Sequence, residues 1–235
     1  MAKDGLCADD LLTDYTESRP VRSATGAKAD TEAMTTPSWD ASYTASKPAP
    51  WDIGRSQPAF VRLAEKGLLS GRLLDSGWGT GEQTLLAASH GADAIGIDVS
   101  VHAIDRARRK STERGLTARF EVADALRLGD LGLMFDVVID SGVFHVFDDK
   151  DRVRYVASLA SVLRDGGYCH LLCFSDRQPG TFGPRRVRQD ELRAAINDGW
   201  RIIGIEAATF ELSESGLGIS LAQAWLAAIQ RVTQA

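Results

Sequence analysis

The chain has 235 residues, with 44% apolar side chains, 25% charged ones and a formal charge of −5. That composition fits one globular domain of ordinary size, and the acidic balance speaks against nucleic acid as the main partner. No apolar run approaches the roughly 20 residues needed to cross a bilayer, and the start "MAKDGLCADD" lacks the basic and apolar blocks of a secretory signal.

Residues 1–36 are rich in Ala, Thr, Ser and Asp without a sustained apolar period. They read as a disordered tail, weakly helical at most around Asp9–Tyr15. Residues 37–70 read as an N-terminal lid. Trp39, Tyr43 and Trp51 cluster there, and Pro58 opens a short helix whose apolar face is Phe60, Val61 and Ala64 and whose stop is Gly67. Residues 71–235 form the main domain. Strand-like runs at Arg72–Leu74, Ala94–Ile97, Ala118–Val122, Phe135–Ile139 and Tyr168–Phe174 alternate with helical patterns. The helices are Glu82–His90, then Val101–Arg114 with Ser100 as cap, then Asp151–Leu163. The third shows Val153, Val156, Ala160 and Leu163 on one face and "DGG" as stop. Such alternation implies βαβ units and a parallel sheet. A helix at Gln189–Asn197 and two long strands, Trp200–Leu212 and Leu221–Val232, finish the chain. The short link at "SESGLG" makes the last two strands antiparallel. The expected fold is α/β, a Rossmann-like doubly wound sheet of about seven strands with the last one reversed.

The three cysteines are too few and too odd for a disulfide framework. Cys169 and Cys173 lie on one strand, about 13 Å apart, too far to share a metal, and no metal site is expected.

"LLDSGWGTGEQTLL" places Asp75 at the end of the first strand and Gly77, Gly79 and Gly81 before the next helix. The spacing is G-x-G-x-G. A G-x-G-x-x-G dinucleotide turn would need its third glycine at Glu82 or Thr84, so a nicotinamide dehydrogenase is disfavoured. Asp98 stands at the end of the second strand, where a carboxylate can accept from both ribose hydroxyls. Asp124 follows the third strand, within reach of an exocyclic amine. Asp140, Ser141 and His145 stand at the mouth of the fourth. Carboxyl ends of strands are where open α/β sheets bind ligands.

This ordered set, from about Leu73 to Phe174, resembles the class I S-adenosylmethionine-dependent methyltransferases. "PWDIGRSQPA" and "SDRQPGTFGPRR" resemble a narrower group, the actinobacterial small-molecule methyltransferases allied to heterocyclic-toxin and thiopurine methyltransferases. The resemblance implies that Asp75 and Gly77 hold the methionine amino end, with Gly79 and Gly81 beside it. It gives the ribose to Asp98 and Val99, the adenine to Asp124 and Ala125, and places Asp140 or Ser141 near the sulfonium. S-adenosylhomocysteine would be the product.

His145 is the candidate base; the competing reading packs it between Phe144 and Phe147. Phe144, Phe147, Phe174 and Phe182 are expected to wall a flat apolar acceptor. Trp51, Asp52 and Arg55 are expected as a lid, with Trp51 toward cofactor and Arg55 toward substrate. Trp78 departs from the small residue usual in relatives; its indole is expected to pack on the segment around Trp51. The implied function is methyl transfer to O, N or S of a small aromatic or heterocyclic molecule, by a cytoplasmic monomer or homodimer. A non-catalytic S-adenosylmethionine sensor is the alternative, and Trp78 is the feature that favours it.

Overall fold

A computed structural model describes residues 36–44, 48–77, 79–181, 183–213 and 219–233. The expectations for residues 1–35, for Trp78 and for Phe182 lie outside the described residues, as does most of the "SESGLG" turn. Two helices, α1 (Thr36–Thr44) and α2 (Pro58–Glu65), precede the sheet. Then come β1 (Arg72–Ser76), α3 (Glu82–Ser89), β2 (Asp93–Asp98), α4 (Val101–Glu113), β3 (Arg119–Val122) and β4 (Phe135–Ser141). The chain ends with α5 (Asp149–Ala160), β5 (Leu163–Phe174), α6 (Gln189–Ala195), β6 (Trp200–Glu211) and β7 (Leu221–Arg231).

The sheet order is β3-β2-β1-β4-β5-β7-β6. The pairs from β3 to β5 are parallel, and β7 runs antiparallel to both β5 and β6. The reversed last strand is therefore as expected. Central strands are apolar on both faces because each face is covered. On one face Leu74, Ile97, Phe135 and Val138 pack with Tyr155 and Leu159 of α5. On the other, Leu73, Ile139, Leu172, Phe174 and Phe210 pack with Phe60 and Leu63 of α2.

Two helices differ from expectation. In α2 the buried stripe is Ala59, Phe60, Leu63 and Ala64, while Val61 is only half-buried. In α5 Val156 is buried as expected, but the apolar stripe is rotated. Val153 is 68% exposed, and Tyr155, Val156 and Leu159 face the core. Tyr155 sets that rotation, because its hydroxyl bonds Asp140 at 3.0 Å and Ser76 at 2.6 Å in the buried sheet. The helix also starts earlier, with Asp148 accepting from the Asp151 amide at 2.8 Å. It ends at Ala160, and Leu163 already pairs with Phe135. "DGG" is not its stop; the register jumps there from Leu163 to Tyr168, so these residues bulge from β5.

β6 forms one edge of the sheet. At its end the Gln57 amide donates to the Glu211 carbonyl at 3.0 Å and accepts from the Glu211 N–H at 2.8 Å. Among the described residues no helix is long and apolar enough to cross a membrane.

Candidate active site

β1 ends by burying Asp75 completely. Thr84 Oγ1 of α3 donates to Asp75 Oδ2 at 2.9 Å, while Oδ1 has no partner among the described residues. Burial, only partly offset by the Thr84 bond, pushes this carboxyl well above the ordinary range. A buried acceptor without a donor is costly, and such an atom marks a place where a ligand can supply one.

The glycines that follow are required by the turn. Gly77 and Gly79 have φ of +77° and +73°, in the left-handed region that side chains avoid. A Cβ on Gly77 would stand 2.8 Å from Val143 Cγ2, and one on Gly79 would stand 2.6 Å from the Tyr43 hydroxyl. Gly81 is the N-cap of α3.

Asp98, at the end of β2, holds this turn in place. Its Oδ2 accepts from Gly79 N at 2.9 Å and its Oδ1 from Ser100 N at 2.8 Å. Val99, between them, is half-buried. Each carboxylate oxygen keeps a further lone pair for a hydroxyl. Burial raises the Asp98 carboxyl above its usual value despite these bonds. Asp124 is exposed beyond β3, and its Oδ1 accepts from Leu126 N at 2.9 Å. The carbonyl of Ala125 accepts from Ser158 Oγ at 2.7 Å.

Asp140 turns inward. Its oxygens accept from Val143 N at 2.7 Å, Phe144 N at 3.0 Å and Tyr155 Oη at 3.0 Å. Oδ2 takes two of these bonds, and both oxygens anchor the loop after β4. Burial raises its carboxyl to about 6. Ser141, on the alternate face, accepts from Gln83 Nε2 at 3.0 Å. The Gln83 Oε1 is a second buried acceptor without a partner among the described residues.

The segment before β1 contributes residues that periodicity could not single out. Tyr43 of α1 is buried over Gly79, and Trp51 Nε1 donates to its hydroxyl at 2.8 Å. The Trp51 ring, half-buried, also meets Trp39 edge-on at 5.5 Å. Asp40 pins α1 to α4, accepting from Ser100 Oγ at 2.6 Å and meeting His102 Nδ1 at 2.8 Å. Asp52 accepts from Thr80 Oγ1 at 2.8 Å. Arg55 is paired with Glu211 at 2.8 Å. Trp51, Asp52, Arg55, Thr80 and Gln83 line a small cleft at the start of α3.

Glu82, which also lines the cleft, is held by Lys110 and Arg114, each at 2.8 Å. These two partners depress its carboxyl below the usual value although burial opposes them. Glu82→Ala is expected to cost about 2 kcal/mol, since it strands two cations beside a buried turn. Denaturant unfolding checks this, and a change below about 0.5 kcal/mol would show the cluster to be idle.

The expected acceptor wall divides between the two faces of the sheet. Phe144 is fully buried in the α5 face with the Arg152 guanidinium 4.6 Å above its ring, and Phe147 packs on Tyr155 at 5.2 Å. Both rings are thereby turned toward α5. Phe174 belongs to the other face, where it meets His145 at 5.0 Å and Phe210 at 5.4 Å, with Arg186 5.5 Å over its ring. Phe210 and Arg186 were not among the expected site residues; one lies on a strand, the other in the basic loop "RQPGTFGPRRVR", whose sequence suggests a guide for an anionic acceptor, a cover over the site or a solvated charged loop.

His145 is 4% exposed, and its Nδ1 accepts from Phe174 N at 2.9 Å. Burial, helped by Arg152 and Arg186, lowers its pKa to about 3. With Nδ1 engaged by a main-chain N–H, that nitrogen is not free to take a proton from an acceptor.

Residues 73–167 match a family model described as a methyltransferase domain. The 2-heptyl-1-hydroxyquinolin-4(1H)-one methyltransferase of Mycobacteroides abscessus is 33% identical over 170 residues, 71% of this chain and 75% of that protein. The chain belongs to the S-adenosylmethionine-dependent methyltransferases. A solved structure from work on conversion of a disulfide bond into a thioacetal group during echinomycin biosynthesis is also similar. It has 35% identity and a TM-score of 0.77, covering 86% of this chain and 94% of that one. A third relative, named probable thiol methyltransferase 2, from Arabidopsis thaliana, is 26% identical over 183 residues, 77% of each chain. Solved methyltransferases of this fold carry S-adenosylmethionine or S-adenosylhomocysteine. The residues of this methyltransferase fit that group, because a glycine turn and a donorless buried carboxylate oxygen lie together at the sheet's carboxyl edge.

Proposed function

We propose that this methyltransferase acts on an O, N or S atom of a small aromatic or heterocyclic acceptor. The observation that carries this reading is the aromatic group that His145, in the loop after β4, forms with Phe174 and Phe210. Flat apolar walls suit a flat acceptor. Support also comes from relatives named for a hydroxyquinolone and a thiol.

Asp75, Gly77, Gly79 and Gly81 would hold the methionine end, Asp98 and Val99 the ribose, and Asp124 and Ala125 the adenine. S-adenosylmethionine, when bound, supplies a methyl carbon attached to a positively charged sulfur. The chain's part is to bind, align and exclude water. Asp75 Oδ1 offers the methionine ammonium the donorless oxygen it needs. Ser141 and Gln83, joined to each other, border the space between methionine and acceptor. The acidic balance supports a partner other than nucleic acid, and the two buried thiols, Cys169 and Cys173, support a cytoplasmic setting.

Release of S-adenosylhomocysteine with a panel of hydroxyquinolines, phenols and thiols tests the reading. Turnover is expected with at least one class. Asp75→Asn keeps the Thr84 bond and replaces an acceptor by an N–H donor, so cofactor affinity should fall about 10- to 100-fold. Tight S-adenosylhomocysteine binding with no turnover across the whole panel would overturn the acceptor class.

A further inference from the structure

We infer that His145 is a hydrogen-bond donor, its Nε2–H directed to an acceptor that arrives already deprotonated, so that this enzyme selects acidic nucleophiles such as N-hydroxy heteroaromatics, acidic phenols and thiols. The inference rests on the acceptor class proposed above and names which of its members are used.

The tautomer follows from one bond. A neutral imidazole has one donor nitrogen and one acceptor nitrogen. Nδ1 accepts the Phe174 N–H at 2.9 Å, so the proton resides on Nε2. Among the described residues Nε2 has no hydrogen-bond partner. It faces Gly142, where an added Cβ would stand 3.1 Å from it and 3.3 Å from Phe210 Cε2. Gly142 directly follows Ser141, so the nitrogen borders the lip where methionine and acceptor are expected to meet.

Among the described residues the surroundings favour an anion and supply no base. Arg152 of α5 and Arg186 of the segment after β5 both bias the ring against protonation. Asp140 of β4 is committed to Val143, Phe144 and Tyr155. Cys173 of β5 is buried, and that burial pushes its thiol up. Arg186 lies 5.5 Å over the Phe174 ring, adding positive charge beside the aromatic group.

The step then needs no proton transfer to the protein. The acceptor loses its proton to solvent before entering. Its lone pair forms the bond to the methyl carbon as the carbon–sulfur bond breaks, and the electrons of that bond stay on sulfur. An anion and a cation become two neutral products. The Nε2–H bond orients the anion and balances its desolvation.

Two measurements test this. Acceptors of graded acidity are compared by kcat/KM against pH at saturating S-adenosylmethionine. Each profile should level off at that acceptor's own pKa; one midpoint shared by all acceptors would reveal an enzyme base and overturn the inference. The second is nitrogen NMR of histidine-labelled enzyme. His145 should stay neutral with its proton on Nε2 from about pH 5 to about pH 9; titration in that range, or a proton on Nδ1, would equally overturn it. Because the spectrum needs no acceptor, it decides the tautomer even if the whole panel fails. In support, His145→Gln restores an amide N–H and should exceed His145→Leu in kcat/KM by about 10- to 100-fold; equal activities would remove the donor role.

Discussion

Asp140→Ala is expected to destabilise the enzyme by about 3–5 kcal/mol, one of the largest single losses available outside the central apolar core. The substitution removes one acceptor group and strands three buried donors: the amides of Val143 and Phe144 and the hydroxyl of Tyr155. Each lost bond of this kind costs about 1–3 kcal/mol. Tyr155 also anchors the end of β1 through Ser76, so α5 loosens with the loop. Asp140→Asn keeps the shape and removes the charge. In the wild type the carboxyl titrates at about 6 in the fold, against an ordinary 3.8. A raised carboxyl pKa means that the folded state holds its proton more tightly than the unfolded chain. The stabilisation is therefore complete below about pH 4 and is lost as pH rises through about 6. The gap amounts to about 3 kcal/mol. Urea unfolding from about pH 4 to about pH 7 should show the wild type losing that much relative to Asp140→Asn. Parallel curves for the two proteins would mean that the carboxylate is not strained by its burial.

The second large effect is on ligand affinity. Asp98→Ala is expected to raise the dissociation constant of S-adenosylhomocysteine by about 100-fold. The carboxylate serves the turn before it serves a ligand, because it fixes Gly79 N and Ser100 N. Without it the glycine turn loses its anchor to β2, and the ribose loses its acceptor. Asp98→Asn, with one acceptor oxygen left, should fall between. Calorimetric titration decides; a change below about threefold, under 1 kcal/mol, would place the nucleoside away from this lip.

The fold was readable because its signals are local and repeated. Ser100 before Val101, Gly67 after α2 and the apolar runs of β1, β2 and β4 each mark their own element. The four acids at strand ends were readable for the same reason. What a strand end does not reveal is where the chain turns next. Asp140 and Ser141 are adjacent in sequence, yet one folds its own loop and the other faces Gln83. Phe144 and Phe174 looked equivalent as wall residues, but the loop sends Phe144 to the α5 face. The rotation of α5 was misjudged because Tyr155 is drawn in by a polar partner, which apolar periodicity does not weigh. Tyr43 and Asp40 meet Gly79 and Ser100 only through packing between distant segments. His145 was conspicuous as a histidine, but its role depends on the Phe174 amide, 29 residues away.

The pairing of Gln57 with Glu211 matters beyond the segment before β1. An outermost strand offers free main-chain groups on which another polypeptide can zip itself, the usual start of intermolecular sheet growth. At the end of β6 both main-chain groups of Glu211 are already answered by one side-chain amide, which imitates the rung of a missing neighbour. A foreign strand advancing along that border would meet a finished seam at Glu211, so the methyltransferase ends its own sheet there with a single glutamine.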